Sequence, residues 1–397
     1  MGLETLLTEL QSESIEAARL RSEQEFERIA APFDRIVVFG TGYLGDLACS
    51  GLRAAGVQPI AFCDNNSRLW GSHKDGIEIV SPAEAAARYK DSAAFVVAIY
   101  NSTPPRRQLQ ALECRRIVPY PVLFWKYWRF MPKEDRLELP HRILERAHET
   151  AAGYELLSDD RSRTEFCAQI RWRCLLDYDC LPRPDDAREM YFPSDLVALL
   201  PTEAFVDCGA FDGDSVRAFV AATRGRFGRI YAWEADPGNV SKLRASCGQL
   251  TDGMAARIEI LPYAVGDRNG TMRFSAEGSV SSRFGESEAA QEVDCRTIDA
   301  VFSAASPTFI KMDIEGAEPA ALRGAMHTMA RCRPVMAVCA YHSCDHLWTI
   351  PQLLKAGNPD YHIFLRRYAE DCWETVYYAV PPERLRLLQS GQAEQVA

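Results

Sequence analysis

The chain has 397 residues, of which 47% are hydrophobic and 25% are charged, and its formal net charge is −10. That length predicts more than one domain, and the acidic balance excludes a general nucleic-acid-binding protein, which normally presents a basic surface. No apolar run approaches the roughly 18 residues that cross a membrane, and the charged first segment lacks the apolar core of a signal peptide. We therefore expect a cytoplasmic protein whose cysteines are reduced thiols.

The first predicted segments are an N-terminal helix and a small α/β domain. Within residues 1–32, leucines from Leu3 to Leu10 recur at helical spacing, which predicts an amphipathic helix. Residues 33–125 then alternate strand-like runs such as "RIVVFG" and "AAFVVAIY" with helix-like runs such as "SPAEAAARY". This alternation predicts a Rossmann-like domain whose small parallel sheet has three or four strands.

A glycine-rich loop, "VVFGTGYLGD", places Gly40, Gly42 and Gly45 between the first strand and the first helix of this domain, and Asp64 ends the next strand. Taken alone, this spacing is the fingerprint of a dinucleotide site. A complete site normally needs a second mononucleotide half, and the predicted sheet stops too early to supply it. Three alternatives stay open: a non-catalytic structural domain, a module that recognises a nucleotide-sugar or a substrate, and an NAD(P)-binding domain.

The second half of the chain contains another α/β series. Residues 126–200 show no strand period, so we predict a helical connecting segment before a domain at 201–397. The candidate strands of this domain are "AFVDCG", "RIYAWEA", "IEILPYAV", "TFIKMDI", "PVMAVCAY", "YHIFLRRY" and "ETVYYAV". Only "AEDCW" separates the last two, and so short a link forces an antiparallel pair at the end of the sheet. Seven strands that end in such a pair are typical of class I methyltransferases.

Polar residues follow three of these strands. In "FVDCGAFDGDS", Asp207 ends the first strand, and Gly209 and Gly213 permit backbone bends and the close approach of a ligand. Glu234 ends the second strand, where a carboxylate can accept hydrogen bonds from both hydroxyls of an adenosine ribose. "KMDIEGAE" ends the fourth strand and brings Asp313 to the same edge. Because ligands of open α/β sheets bind beyond the carboxyl ends of the strands, we predict a nucleotide-like ligand here.

These segments, together with "YAWEADPGNVSKL", "PYAVGD", "SVSS" and "YHSCDHLWTIPQLL", resemble the FkbM family of S-adenosylmethionine-dependent methyltransferases. The resemblance extends in order over residues 200–380. It implies a class I (Rossmann-like, seven-stranded) fold and S-adenosylmethionine as the methyl donor. It also implies O-methylation of a hydroxyl on a sugar, a glycolipid or a secondary metabolite.

The resemblance implies roles for particular residues. The residues that would line the methionine end of the cofactor are Asp207, Gly209, Ala210, Phe211, Gly213 and Ser215. Glu234 would bind the ribose, and Ala264 and Val265 would lie near the adenine edge. Asp313 would face the transferred methyl group.

We expect a side chain at this edge to accept the proton of the acceptor hydroxyl during methyl transfer. His342, in "CAYHSCDH", is the first candidate, because an imidazole with a pKa near ~6.5 suits a general base, and Asp313 is the second. Asp313 and Glu315 offer oxygen ligands that suit Mg²⁺, but we predict a reaction without a metal. One departure from the family is "LRRY", Arg366 to Tyr368, where related sequences carry a histidine.

Two other functions stay open. An NAD-dependent sugar oxidoreductase or epimerase would use the N-terminal glycine loop, although no Y-x-x-x-K pair follows that loop at a usable distance. A non-catalytic module would bind the cofactor without turnover. A zinc site between Cys332 and His346 is not expected, because no paired C-x-x-C is present. The expected partner is a small-molecule or glycan acceptor, and the sequence does not indicate an oligomeric state.

Overall fold

The structure, a computed structural model, describes residues 13–132, 135–275, 283–284 and 291–389. The chain divides into two compact units. The N-terminal unit comprises Met1–Ala147, Cys167–Arg183 and Ala369–Trp373, and the C-terminal unit comprises His148–Phe166, Pro184–Tyr368 and Glu374–Ala397. The predicted connecting segment 126–200 therefore has residues in both units. The leucines predicted for the first helix and the "SVSS" segment lie outside the described residues.

The N-terminal unit contains a six-stranded sheet with the order β3-β4-β2-β1-β5-β6. Its strands are Ile36–Phe39 (β1), Ala61–Cys63 (β2), His73–Lys74 (β3), Ile77–Val80 (β4), Ala94–Val97 (β5) and Ile117–Pro119 (β6). Neighbouring strands are parallel except for the β3–β4 pair. The prediction of three or four strands was too low, because β4 and β6 are short runs inside segments that resemble loops.

Helices cover both faces of this sheet. The helices of the unit are Ile15–Ala30, Tyr43–Ala54, Pro82–Tyr89, Thr103–Ala111, Tyr120–Tyr127 and Pro140–Glu145, with a short 3₁₀ turn at Ser67–Leu69. Ser81 caps Pro82–Tyr89, since its hydroxyl oxygen accepts a hydrogen bond from the Glu84 amide at 3.1 Å. Val38 packs into one apolar cluster and Val37 into another, so β1 is buried on both sides. Burial on both faces explains why the strand is a continuous apolar run.

The C-terminal unit contains a seven-stranded sheet and a smaller four-stranded sheet. The strands are Ala204–Cys208 (β7), Arg229–Trp233 (β8), Ile258–Leu261 (β9), Ala264–Val265 (β10), Gly270–Ser275 (β11), Arg283–Phe284 (β12), Gln291–Arg296 (β13), Phe309–Met312 (β14), Val335–Cys339 (β15), His362–Arg367 (β16) and Thr375–Val380 (β17). The large sheet has the order β16-β17-β15-β14-β7-β8-β9, and β17 is antiparallel to both of its neighbours. This confirms the predicted class I methyltransferase arrangement.

The small sheet, β10-β13-β11-β12, was not predicted. The run "IEILPYAV" had been interpreted as one strand, but β9 belongs to the large sheet and β10 to the small one. Pro262 lies between them, and a proline cannot donate a ladder hydrogen bond, so it marks the point where the chain leaves the first sheet.

The remaining helices lie mostly in the C-terminal unit, although Asp160–Leu175 has residues in both units. They are Ala147–Glu155, Asp160–Leu175, Asp214–Ala222, Pro237–Cys247, Asp252–Ala255, Ile298–Val301, Glu318–Arg323, Met326–Cys332, His346–Gly357 and Pro382–Gln389, with a 3₁₀ turn at Ala187–Glu189. The predicted helix "AEPAALRGAMHTMA" is two helices, which separate at Gly324. A Cβ atom on Gly324 would lie 2.1 Å from the carbonyl oxygen of Gly266, so only glycine fits there. No helix among the described residues has the length and apolarity to cross a membrane.

The "LRRY" segment that departs from the family contributes two buried arginines to β16. Arg366 donates a hydrogen bond to Asp159 at 2.8 Å, and Arg367 donates one to Glu165 at 2.7 Å. Both carboxylates belong to the segment His148–Phe166 of the same unit. The arginines therefore attach this outer strand to the segment that covers it.

Candidate active site

Asp207 is the penultimate residue of β7 and holds the glycine-bearing turn that follows. Its carboxylate accepts a hydrogen bond from the Ser215 hydroxyl at 2.5 Å, and Lys311 Nζ lies 3.0 Å from its other oxygen. Lys311 also donates to the carbonyl oxygen of Gly209 at 2.8 Å. Both charged side chains are almost completely buried. The hydrogen bond between Asp207 and Ser215 therefore holds together the two ends of the turn after β7. Lys311 connects β14 to the same turn.

The turn itself adopts left-handed backbone conformations. Gly209, Phe211 and Gly213 have φ values of +84°, +46° and +89°. A Cβ atom on Gly209 would lie 1.9 Å from the carbonyl oxygen of Asp313, so the loops after β7 and β14 touch here. Phe211 holds a conformation that is strained for a residue with a side chain, which is typical of functional loops. Ala210 is fully buried beneath the turn.

Glu234 directly follows β8 and connects two loops. Its carboxylate accepts hydrogen bonds from the amide of Phe211 at 2.9 Å and from the amide of Asp236 at 2.8 Å. Each oxygen retains a second acceptor position. Burial raises the pKa of Glu234, although these two amide hydrogen bonds oppose the rise. The carboxylate is thus held in one orientation beside the turn.

Ala264 and Val265, which were predicted near an adenine edge, form β10 of the small sheet. Both are buried, and they pair with Cys295 and Arg296 of β13. That these two residues lie near the adenine edge of a bound cofactor remains a prediction.

Asp313 follows β14 and is the more accessible of the site's carboxylates. Its side chain is 23% exposed, whereas that of Glu318 is fully buried. Tyr191 donates a hydrogen bond to one oxygen at 2.8 Å, and Tyr341 donates one to the other at 3.3 Å. Burial would raise the pKa of Asp313, but Lys311 and His342 together hold it below its ordinary value. Asp313 is therefore an ionised carboxylate that a ligand can contact.

Glu318 closes the loop "DIEGAE". It accepts hydrogen bonds from the amides of Ile314 at 2.9 Å and Gly316 at 3.1 Å. One of its oxygens also lies 2.8 Å from Nδ1 of His342. The loop and the imidazole are therefore fixed by one buried carboxylate.

The structure places His342 beside three carboxylates of the site. Its side chain is 1% exposed, and its Nε2 lies 3.3 Å from Asp313 and 3.9 Å from Glu315. Burial alone would lower the pKa of His342, but Glu318, Asp313 and Glu315 outweigh burial and raise it to about 9. The imidazole is thus covered and lies among carboxylates. Its role as a general base remains a prediction, and in the structure its two ring nitrogens face the carboxylates of Asp313 and Glu318.

Three site residues were missed in the sequence. Tyr191 and Tyr341 reach Asp313 from different segments, and Glu374 directly precedes β17. Burial and the nearby carboxylates of Asp313 and Glu315 raise the pKa of Glu374 to about 7. Topology could have indicated Glu374, because the amino end of an antiparallel strand lies at the same edge as the carboxyl ends of its parallel neighbours.

Cys332, Cys339 and Cys344 lie outside the group of potential metal ligands that the described residues form. None of the thirteen cysteines, all of which lie in the described residues, forms a disulfide bond. Among the described residues, His342 groups with Asp313 and Glu318, whose potential ligand atoms lie within 4.8 Å of one another.

The glycine loop of the N-terminal unit is closed by its own acidic residue. The Asp64 carboxylate accepts hydrogen bonds from the amide and the hydroxyl of Thr41, at 3.0 and 2.7 Å, and from the amide of Asn66 at 2.8 Å. The carboxylate that would bind a ribose in a dinucleotide site thus holds the loop. The three alternatives for this loop therefore remain predictions.

Comparisons with known proteins agree with the geometry of the C-terminal unit. Residues 207–372 match the family model of the methyltransferase FkbM domain. The crystal structure of methyltransferase FkbM from Methylobacillus flagellatus KT is 25% identical, covers 92% of this chain and 98% of that chain, and superposes with a TM-score of 0.72. No curated protein matches the chain.

Two other solved structures are similar to part of the chain. Precorrin-6y C5,15-methyltransferase from Geobacter metallireducens GS-15 is 12% identical, covers 48% of this chain and 85% of that chain, and has a TM-score of 0.31. SAH-bound methyltransferase PaMTH1 from Podospora anserina is 13% identical, covers 58% of this chain and 87% of that chain, and has a TM-score of 0.27. These similarities are too low to support an argument.

The family match covers the loops that carry Asp207, Glu234, Asp313 and His342, and the FkbM structure is similar over nearly the whole chain. The seven-stranded sheet is that of a class I methyltransferase. The chain is therefore a methyltransferase, and its residues 207–372 match the methyltransferase FkbM domain.

Proposed function

We propose that the chain is an S-adenosylmethionine-dependent O-methyltransferase that acts on a hydroxyl of a sugar, a glycolipid or a secondary metabolite. The observation that supports this most strongly is the position of three loops. The loops after β14, β7 and β8 follow neighbouring parallel strands, and they bring Asp313, the turn at Phe211 and Glu234 to one edge. Ligands of open α/β sheets bind at this edge.

The cofactor would lie along the turn after β7. Glu234 has free acceptor positions for the ribose hydroxyls, and the left-handed turn from Gly209 to Gly213 allows close contact with the methionine part. Asp207 and Ser215 are buried, so they would act by holding this turn. In this proposal the sulfonium lies toward Asp313, whose backbone contacts Gly209.

Asp313 would receive the acceptor. The acceptor oxygen attacks the methyl carbon in line, the carbon–sulfur bond breaks, and its electron pair remains on the sulfur of S-adenosylhomocysteine. The hydroxyl proton passes to Asp313 and then to solvent. In well-oriented reactions, holding the two reactants in line lowers the activation free energy by roughly 7–11 kcal/mol. Here the reactants would be the acceptor hydroxyl and the methyl group of S-adenosylmethionine. His342 would not touch the acceptor and would keep Asp313 in place.

Titration calorimetry tests the cofactor part of this proposal. We expect the wild-type protein to bind S-adenosylhomocysteine and not NAD, which would separate the proposal from an oxidoreductase. Glu234→Gln removes a charged acceptor and should weaken binding by about 10- to 100-fold. The matched control is Glu259→Gln, which alters an exposed ion pair with Arg229 on the same sheet. Equal binding by wild type and Glu234→Gln would contradict the assignment.

Turnover tests the catalytic part. Transfer of a labelled methyl group from S-adenosylmethionine to a pool of glycans and hydroxylated metabolites should fall by about 10²- to 10⁴-fold in Asp313→Asn. Binding of S-adenosylhomocysteine should stay within a few-fold of wild type in that variant. Cofactor binding without transfer to any member of the pool would favour a non-catalytic module.

A further inference from the structure

We propose that Asp313, Glu315 and His342 form a binding site for a divalent transition-metal cation at the acceptor end of the active site. The proposal deepens the proposed function, because the cation would lie where the acceptor hydroxyl approaches Asp313. It departs from the sequence-based expectation of a reaction without a metal.

The geometry of the three side chains supports the site. Nε2 of His342 is 3.3 Å from a carboxylate oxygen of Asp313 and 3.9 Å from one of Glu315. Ligands at about 2.0–2.2 Å from one metal ion lie roughly 3 Å apart when they are adjacent, so the distance from Nε2 to Asp313 fits a shared ion, and Glu315 would have to move closer to join it.

An unsatisfied nitrogen points to the same position. His342 is 4% exposed, and its Nε2 is a buried polar atom that makes no hydrogen bond. Burial of a polar atom without a hydrogen bond costs about 1–3 kcal/mol, so such atoms in a folded protein require a reason. A metal ion at the position that this nitrogen faces would satisfy it.

The second ring nitrogen of His342, Nδ1, contacts a carboxylate, as it does in many histidines that bind a metal ion. Nδ1 of His342 lies 2.8 Å from Glu318, and Glu318 is itself held by the amides of Ile314 and Gly316. A carboxylate on the second ring nitrogen fixes the tautomer and the orientation of a histidine ligand. Glu318 would thus orient His342, while Asp313 and Glu315 would bind the ion.

The ligand set selects the class of ion. One imidazole with two carboxylates suits Mn²⁺, Fe²⁺ or Zn²⁺ better than Ca²⁺, which prefers oxygen ligands alone. Asp313 and Glu315 remain 23% and 20% exposed, so the ion would keep open positions on their side. A hydroxyl that occupies such a position has a lowered pKa, which would assist its deprotonation.

Mn²⁺ is the probe for this site, and the full-length protein is tested without cofactor or acceptor. Titration calorimetry should show one bound Mn²⁺ per chain, and electron spin echo envelope modulation should show coupling to one histidine nitrogen. His342→Ala should remove both signals. The matched control is His362→Ala, an exposed histidine at the start of β16, which should bind Mn²⁺ like the wild type.

Absence of Mn²⁺ binding by the wild type, or equal binding by His342→Ala, would overturn the inference. If His342→Ala does not fold, Glu315→Gln decides, since it should weaken Mn²⁺ binding at least tenfold and leave the imidazole in place. The result of the Mn²⁺ titration does not depend on the result of the cofactor titration. Cofactor binding without Mn²⁺ binding would refute only this inference, and Mn²⁺ binding without cofactor binding would refute only the proposed function.

Discussion

Replacement of Lys311 by methionine is the most informative perturbation of the site's framework. Lys311 and Asp207 form a buried ion pair at 3.0 Å, with side-chain exposures of 2% and 0%. Removal of one partner leaves an uncompensated buried charge, which typically costs about 3–5 kcal/mol. Loss of the hydrogen bond from Lys311 to Gly209 adds about 1 kcal/mol. We therefore expect Lys311→Met to lower the free energy of opening of the sheet by about 4 kcal/mol or more.

The double variant Lys311→Met/Asp207→Asn separates charge from packing. It removes both charges, so only the lost hydrogen bonds remain, and the coupling energy between the two positions should reach about 2 kcal/mol. Hydrogen exchange of the amides in β7 and β14 measures the free energy of opening locally. Arg229→Met is the matched control, because its ion pair with Glu259 is half exposed and should contribute less than about 1 kcal/mol.

Two results would refute this reasoning. One is a cost below about 1 kcal/mol for Lys311→Met, which would mean that the pair is not buried as the structure shows. The other is a double variant as unstable as the sum of the single variants, which would mean that the two charges do not interact.

Three further predictions concern other contacts. Gly209→Ala should abolish binding of S-adenosylhomocysteine in calorimetry, because a Cβ would collide with the Asp313 carbonyl, whereas Gly253→Ala, with nothing within 4 Å, should bind normally. Arg367→Met should lower the midpoint of urea unfolding by an amount equivalent to about 3–5 kcal/mol, since the buried Glu165 loses its partner, and an unchanged midpoint would contradict the assigned contact. Asp64→Ala should accelerate hydrogen exchange at the N-terminal glycine loop, and unchanged exchange there would show that the carboxylate does not hold the loop.

Much of the C-terminal fold could be predicted, because its signals are local. The strands are short apolar runs, the link between β16 and β17 is too short for a crossover, and polar residues mark the carboxyl ends of β7, β8 and β14. Topology alone then brings those ends to one edge. The division of "IEILPYAV" into β9 and β10 was missed because the apolar pattern continues across the proline.

The chemistry of the site was less predictable, because it depends on contacts between distant segments. Tyr191 reaches Asp313 across 122 residues, and no spacing rule connects them. His342 was predicted as a base from its type and position, but its contact with Glu318, 24 residues earlier, could not be read from any spacing rule. Likewise, Asp64 has the spacing of a ribose-binding acid, but its carboxylate holds the glycine loop.

A crystal structure of the protein with S-adenosylhomocysteine tests the central proposal most directly. We predict that the ligand lies along the turn after β7, with its ribose hydroxyls on Glu234 and its sulfur toward Asp313. Ligand bound at the N-terminal loop Gly40–Gly45, or no bound ligand at saturating concentration, would contradict the account.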